Sequence, residues 1–158
     1  MTPLATLAEK ELIDPASSLR VSDNANSPDR ITVAIRLSNG HRSPWWAAPI
    51  ESRLEQLVNL ETDWNSHGAR RVSAEAVYLA VRVIASLLAL DERRPMPQVV
   101  ATWQGGLQLE WHLQNSDVEI TIDPGGSVWA YLAGDDGTEE DGALTEMEGK
   151  VSAILAHA

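Results

Sequence analysis

The chain has 158 residues, of which 44% are hydrophobic and 22% are charged, and this is enough apolar material for one globular domain with a buried core. It contains no cysteine, which excludes disulfide bonds and thiolate metal sites. The formal net charge is -11, and residues 101–158 alone hold eleven acidic side chains and one basic side chain. Because a field of this sign repels phosphate backbones, we expect no direct nucleic-acid binding and an attraction to basic surfaces.

The N-terminal residues do not resemble a secretory signal. The first fifteen residues carry three acids and one lysine, with no continuous apolar run. The longest apolar run, residues 76–90, is interrupted by Arg82 and is too short to span a bilayer. We therefore expect a soluble, cytoplasmic protein without a membrane partner.

The first third of the chain is predicted to contribute one strand. Residues 4–12 show a weak helical pattern, and the polar segment 22–29 has no periodicity, which is typical of a loop or a mobile arm. Four apolar residues alternate along residues 31–37, and this alternation predicts a half-buried strand.

A linker with two adjacent tryptophans is predicted to join this region to the rest of the chain. Trp45 and Trp46 lie between prolines, which resist both helix and sheet, and we expect at least one indole to hold the linker to the body. We therefore predict an N-terminal arm over residues 1–48, with one strand and the Trp-containing linker, and a core domain over residues 49–158.

Three amphipathic helices are predicted in the core domain. The first begins just after Pro49, a residue favoured in the first helical turn. The second runs from residue 74 to about residue 90, with Ser73 as its N-cap, and has the widest apolar stripe. The third begins at a capping box formed by Thr145 and Glu148.

The segment around Gly105 and Gly106 predicts a tight hairpin. If both glycines take positive φ in a two-residue loop, Val100 lies opposite Trp111 and Thr102 opposite Leu109. This register places Val100, Thr102, Leu109 and Trp111 on the core face.

A second two-residue loop is predicted at Asn115-Ser116. It places Trp111 opposite Ile120, His112 opposite Glu119 and Glu110 opposite Thr121. A third turn at residues 123–126 leads to a fourth strand, whose Val128, Ala130 and Leu132 face the core, and an acidic loop follows over residues 134–142. The predicted fold is α+β: a four-stranded antiparallel meander packed against two or three helices, with an extra N-terminal strand.

Three segments resemble a family of small uncharacterised bacterial proteins. Residues 60–69 are similar to its NWDGYGA segment, residues 101–111 to its PTPDGGIQLEW segment and residues 118–126 to its LEIEIDPDG segment. The chain departs from this pattern where Asn65-Ser66-His67 stands for Asp-Gly-Tyr and where Trp103-Gln104 stands for Pro-Asp. The resemblance covers roughly residues 50–156 and implies a cytoplasmic bacterial or mobile-element protein, but the family has no established activity, so no catalytic residue is carried over.

The face of the predicted sheet that points away from the core is the candidate binding surface. Its candidate partner-binding residues are Trp103, Glu110, His112, Glu119, Trp129 and Tyr131. Three exposed aromatic side chains are more than a solvated sheet requires, and aromatic groups beside carboxylates suit a basic, arginine-rich partner. Alternatively, the strand at residues 31–37, the Trp45-Trp46 linker or a second copy of the chain covers this face.

The connection between the first two helices is a weaker candidate. Asp63, Trp64, His67 and Gly68 lie close together in it, and loops between packed elements often carry function. We interpret these residues as structural, with Trp64 filling the gap between the helices and the sheet, Asp63 capping a turn and Gly68 taking a positive φ.

The sequence thus predicts a non-enzymatic, acidic protein–protein interaction module, antitoxin-like or defence-associated, which masks a basic partner protein or associates with itself. The plainest alternative is an acidic surface that only keeps the protein soluble. The other alternative is a small enzyme of unknown substrate that uses Glu110, His112 and Glu119 for acid–base chemistry. We predict no catalytic residue, no cofactor and no metal, since His67 and His112 lack the spacing of metal ligands.

Overall fold

The computed structural model describes residues 10–11, 17–24, 27–37, 43–88 and 91–158. In chain order the elements are β1 (Lys10–Glu11), β2 (Ser17–Asn24), β3 (Ser27–Leu37), α1 (Ala47–Val58), α2 (Ala74–Leu88), β4 (Gln98–Ala101), β5 (Leu107–His112), β6 (Ser116–Ile122), β7 (Val128–Gly134), β8 (Glu139–Ala143) and α3 (Leu144–Ala156). The division of the chain into an arm and a core domain at residue 48 stays a prediction.

The strands form two antiparallel sheets. β4 to β8 make a five-stranded meander in chain order, and β1, β2 and β3 make a three-stranded sheet. The predicted α+β class, with three helices and an antiparallel sheet, is confirmed. The meander has five strands where four were expected, and the described residues of the N-terminal region form three strands where one was expected.

The strands that were not predicted lie in segments rich in polar residues. The segment 22–29, expected to be a loop, contributes the end of β2 and the start of β3, and Ser22 lies opposite Thr32. β8 comes from the expected acidic loop and pairs with β7. Because a ladder is built from backbone groups, polar residues can also form it, and apolar alternation does not reveal such strands. The helix predicted over residues 4–12 falls outside the described residues, except that Lys10–Glu11 is a strand.

The core lies between one face of the meander, the three helices and β3. α2 packs against β5 and β6, α3 against β6, β7 and β8, and α1 beside β3 and β4. Alternate strand residues point inward: Val99, Leu107, Leu109, Trp111, Val118, Ile120, Ile122, Ala130 and Leu132. Ile31, Val33 and Ile35 of β3 join the same core, which confirms the half-buried strand. Trp46 is buried and Trp45 is exposed, so one indole holds the linker, as predicted.

Two of the three helix starts differ from prediction. The Ser73 hydroxyl accepts a hydrogen bond from the Ala76 N–H at 3.1 Å, which confirms the N-cap of α2. α1 begins at Ala47, so Pro49 lies within its first turn. α3 begins at Leu144 without a side-chain cap, because β8 leads directly into it, and the predicted capping box at Thr145 is wrong. No helix in the described part of the chain is long and apolar enough to cross a membrane.

The first hairpin of the meander has a longer loop than predicted. Val99 lies opposite Leu109 and Ala101 opposite Leu107, so residues 102–106 form the loop and only Gly105 of the glycine pair has a positive φ. The predicted pairing of Val100 with Trp111 is therefore wrong by three residues. An odd shift exchanges the two faces of a strand, and it is Val99, not Val100 or Thr102, that enters the core.

The second hairpin differs from prediction by two residues. The Leu113 N–H donates to the Ser116 carbonyl oxygen, which closes a turn at residues 114–115. Trp111 consequently lies opposite Val118 rather than Ile120. An even shift keeps every side chain on its predicted face but changes its neighbours, and this determines which polar groups meet on the side away from the core.

Candidate interaction face

The five-stranded sheet has a second face, opposite the core, which we call the outer face. Its residues alternate with the core residues and are Gln98, Val100, Gln108, Glu110, His112, Asp117, Glu119, Thr121, Trp129, Tyr131, Ala133, Glu139, Asp141 and Ala143. All of these side chains are exposed or half-buried, because α2 and α3 pack on the opposite side. The outer face is therefore an open surface in the described part of the chain.

Acidic side chains form a row across the strands of the outer face. Glu110 lies directly opposite Glu119, Glu119 opposite Tyr131, and Tyr131 opposite Asp141. Directly opposed residues of neighbouring strands have Cβ atoms about 5 Å apart, and like charges at this distance repel each other. The described residues of the outer face include no lysine or arginine. They include five carboxylates: Glu110, Asp117, Glu119, Glu139 and Asp141.

His112 lies at one end of this row, between two carboxylates. Its Nδ1 is 2.9 Å from Asp117 Oδ1, and its Nε2 is 3.5 Å from Glu110 Oε2. The hydrogen bond to Asp117 raises the pKa of His112 above its ordinary value, partial desolvation opposes this, and Glu110 adds to the increase. The predicted pairings of His112 with Glu119 and of Glu110 with Thr121 are wrong, because the second hairpin turns one residue earlier than predicted and this shifts the strand pairing by two residues.

Two aromatic side chains lie on the outer face beside the carboxylates. Trp129 is 50% exposed, and its Nε1–H donates to Asp141 Oδ2 at 3.1 Å. Tyr131 is half-buried, and this partial burial, together with a hydrogen bond to Glu139, raises the pKa of its hydroxyl. Both rings are thus held in place by acidic neighbours, with indole area left exposed to solvent.

Five of the six predicted partner-binding residues lie together on the outer face, and Trp103 does not. It belongs to the loop between β4 and β5, is 60% exposed, and its carbonyl oxygen accepts the Arg70 N–H at 2.8 Å. Asp117 and Asp141 were not among the predicted partner-binding residues. Glu139, Glu140 and Asp141 are contiguous acids without alternation, so the sequence carries no signal for the strand that contains Asp141, and the pairing of Asp117 with His112 depends on the hairpin register.

The connection between α1 and α2 is built differently from its predicted structure. Asp63 Oδ1 accepts the Gly68 N–H at 2.6 Å, and Gly68 has a φ of +83°, as predicted. Trp64 is 37% exposed, so the prediction that it fills the gap between the helices and the sheet is wrong. Asp63 and Ser66 also have positive φ, a conformation that hydrogen bonds within the loop must hold. His67 is exposed and bonds only to the backbone and side chain of Asn65.

The geometry of the outer face limits its chemistry. A cleft of about 460 Å³ lies between the β5–β6 turn and the end of α3, and another of about 330 Å³ lies between β3 and α1, but neither is lined by Glu110, His112 or Glu119. Within the described ranges, no group of three or more histidine and carboxylate side chains is placed to hold a metal ion. An open acidic surface with exposed aromatic rings is suited to contact with a positively charged surface.

No protein-family model, no curated protein and no solved structure matches this chain. The resemblance of residues 60–69, 101–111 and 118–126 to a bacterial family therefore stays a prediction from the sequence.

Proposed function

We propose that this protein is a non-enzymatic interaction module that binds a basic partner protein through its outer face. The observation that carries this proposal is the composition of the face: five carboxylates and two aromatic rings, with no lysine or arginine among its described residues. Tryptophan and tyrosine are enriched among the residues that provide most of the binding energy at protein interfaces, and carboxylates favour a partner of opposite charge.

The electrostatics of the face favour a cationic partner. Glu110 and Glu119 oppose each other, and His112 is the only basic side chain of the described residues that lies beside them on the outer face. An incoming guanidinium group relieves this repulsion, donates hydrogen bonds to two carboxylate oxygens at once and stacks on an aromatic ring, which a lysine ammonium does less well. The favoured partner surface is therefore rich in arginine.

The biological setting of such a module is a second part of the proposal. An acidic protein that covers a basic one is suited to masking it, as an antitoxin-like or defence-associated protein does. We place this activity in the cytoplasm of a bacterium, in agreement with the family that the three sequence segments resemble.

A catalytic role for Glu110, His112 and Glu119 has less support. General acid–base catalysis by carboxylates at neutral pH needs a desolvated setting that raises the pKa of one of them. The three side chains lie on an open face, and the two clefts described above are elsewhere. We therefore treat enzymatic activity as the alternative to binding.

Affinity purification from the native host tests the proposal. The double variant E119Q/W129A removes one carboxylate and one ring from the outer face, and E92Q/M96A makes the matched change at an exposed acid and an exposed apolar residue elsewhere. We expect wild type and E92Q/M96A to retain the same basic protein and E119Q/W129A to lose it, with similar unfolding midpoints for all three.

Direct titration with the purified partner then confirms that binding is not through a third protein. Retention of the partner by E119Q/W129A would exclude the outer face as its binding site. Unfolding of E119Q/W129A would instead show that the face is part of the protein's own packing.

A further inference from the structure

Two loops at one end of the five-stranded sheet are bonded to each other. The Arg70 N–H donates to the Trp103 carbonyl oxygen at 2.8 Å, and the Ser73 N–H donates to the Gly105 carbonyl oxygen at 2.9 Å. A Cβ atom on Gly105 would lie 2.6 Å from the Arg71 carbonyl oxygen, so the two backbones are in close contact. The connection between α1 and α2 is thereby fixed against the β4–β5 loop.

These loops expose two indole rings and two guanidinium groups. We call this surface the Trp–Arg end and define it as Trp64, Arg70, Arg71 and Trp103. The Asp63 N–H bonds to the Ala69 carbonyl oxygen at 2.7 Å, which brings the backbone beside Trp64 next to Arg70. Tryptophan and arginine are the residues most enriched at energetically important positions of protein interfaces.

The two arginines of the Trp–Arg end have no side-chain partner in the described part of the chain. Among the described residues, their guanidinium groups form no ion pair or hydrogen bond. Every other arginine or lysine with a described side chain has a partner: Arg30 with Glu55, Arg53 with the Val99 carbonyl, Arg82 with the Tyr78 ring, Arg93 with Asp91, Arg94 with the Leu87 carbonyl and Lys150 with Glu140. In a chain of net charge -11, two neighbouring cations without a partner among the described residues are an exception.

We propose that the Trp–Arg end of one molecule docks on the outer face of a second copy of this chain. The proposal rests on the function proposed above, because it names an occupant for the same face. The two surfaces are complementary in charge: among the described residues, one holds five carboxylates and no lysine or arginine, and the other holds two arginines that form no ion pair. Each also presents exposed indole area, from Trp129 on the face and from Trp64 and Trp103 at the end.

A second copy suits the Trp–Arg end better than a nucleic acid does. The net negative charge of the chain repels a phosphate backbone at long range. A nucleic acid also carries no cationic group that could bind the row of carboxylates on the outer face. Two copies also repel each other at long range, but at physiological salt this repulsion is screened beyond about 8 Å, whereas a desolvated contact between opposite charges is screened much less.

The contact joins the Trp–Arg end of one molecule to the outer face of another. A pair of molecules therefore keeps one free outer face and one free Trp–Arg end. Such a head-to-tail contact extends into longer assemblies unless the rotation between neighbours closes a ring. A basic partner protein competes with this contact for the outer face. Self-association would thus be a resting arrangement that the partner displaces.

Sedimentation velocity of the purified full chain over a concentration series tests this proposal. We expect wild type to form species larger than a dimer near physiological salt, and R70Q/R71Q and E110Q/E119Q each to remain monomeric. An equimolar mixture of these two variants has one intact surface of each kind and should form only a heterodimer. The control R93Q/K150Q makes the same charge change at two exposed bases and should sediment like wild type.

Three outcomes would overturn the proposal. The first is a wild type that is monomeric at every concentration; if E119Q/W129A nevertheless loses a basic partner, the proposed function stands and only self-association fails. The second is a closed dimer that R70Q/R71Q leaves intact. The third is that wild type does not self-associate but binds an acidic protein or a polyanion such as heparin, and that R70Q/R71Q loses this binding. This result would give the Trp–Arg end another occupant.

Discussion

At the scale of single residues, the two glycines of the first hairpin are required for different reasons. Gly105 has a φ of +93°, and Gly106 lies so close to β6 that a Cβ atom would collide with the Ile122 carbonyl oxygen. We expect Gly105→Val and Gly106→Val each to lower the free energy of unfolding by about 1–3 kcal/mol. Gly125→Val, which meets open space, should change it much less. Urea unfolding followed by tryptophan fluorescence makes the comparison, and equal midpoints for all three variants would contradict the hairpin geometry.

Two tryptophans on opposite faces of the sheet should differ in their contribution to stability. Trp111 is buried in the core and its Nε1–H donates to the Pro95 carbonyl oxygen at 2.8 Å, whereas Trp129 is half exposed. We expect Trp111→Ala to cost about 3–5 kcal/mol, as large-to-small core substitutions do, and Trp129→Ala to cost much less. Denaturant melts of both variants measure this difference. Equal losses would mean that the outer face is also buried.

The charge of His112 should couple stability to pH. Its pKa is raised from 6.5, chiefly by the hydrogen bond to Asp117, so the folded chain holds the proton more tightly than the unfolded chain. This contribution is complete below the unfolded-state pKa and is lost as the pH rises through the folded-state pKa. The difference in unfolding free energy between wild type and H112Q should therefore shrink from about pH 5 to pH 8.

An NMR titration of the His112 ring checks the cause of this effect. Its midpoint should fall in D117N and stay in place in D123N, which neutralises an exposed acid in the β6–β7 loop. A midpoint that does not respond to D117N would exclude the ion pair as the cause.

At the scale of elements, the N-terminus of α2 is stabilised by a side-chain cap, whereas that of α3 is not. The Ser73 hydroxyl bonds to the first turn of α2, whereas α3 continues directly from β8 without a side-chain cap. We expect Ser73→Ala to cost about 1 kcal/mol and Thr145→Ala to fall within about 0.5 kcal/mol of wild type. Thermal or urea unfolding distinguishes them. A larger loss for Thr145→Ala would restore the capping box that the structure contradicts.

At the scale of the whole molecule, the negative charge is concentrated where the sheet is open. Residues 101–158 contain β5 to β8, and their carboxylates on the outer face are those that a cationic partner would meet first. Carboxylates of this kind mainly increase the rate of association and its dependence on salt, whereas a buried ring mainly slows dissociation. The two contributions are therefore separable by kinetics.

Stopped-flow association with the purified basic partner separates them. Raising the salt concentration should slow association more for W129A, which keeps Glu119, than for E119Q/W129A. The same salt dependence in both variants would mean that Glu119 does not guide the encounter.

Periodicity along the sequence was sufficient to predict the helices, the α+β class and which side of β5, β6 and β7 faces the core. These properties depend on spacing within one element, and Ser73 could be identified as an N-cap because its role is local. Glu110, His112, Glu119, Trp129 and Tyr131 were placed on the outer face for the same reason, since the error in the second hairpin was even and left every face unchanged.

Register and strand number were decided by tertiary structure. The length of the first loop depends on contacts of Gly105 with Arg71 and of Gly106 with Ile122, which are distant in sequence, and the resulting odd shift moved Val99 into the core. β8 pairs with β7, and β2 pairs with β3, through backbone hydrogen bonds in which polar segments take part. The periodicity of apolar residues does not predict such pairing. The position of Arg70 and Arg71 beside Trp103 likewise exists only because two loops meet at one end of the sheet.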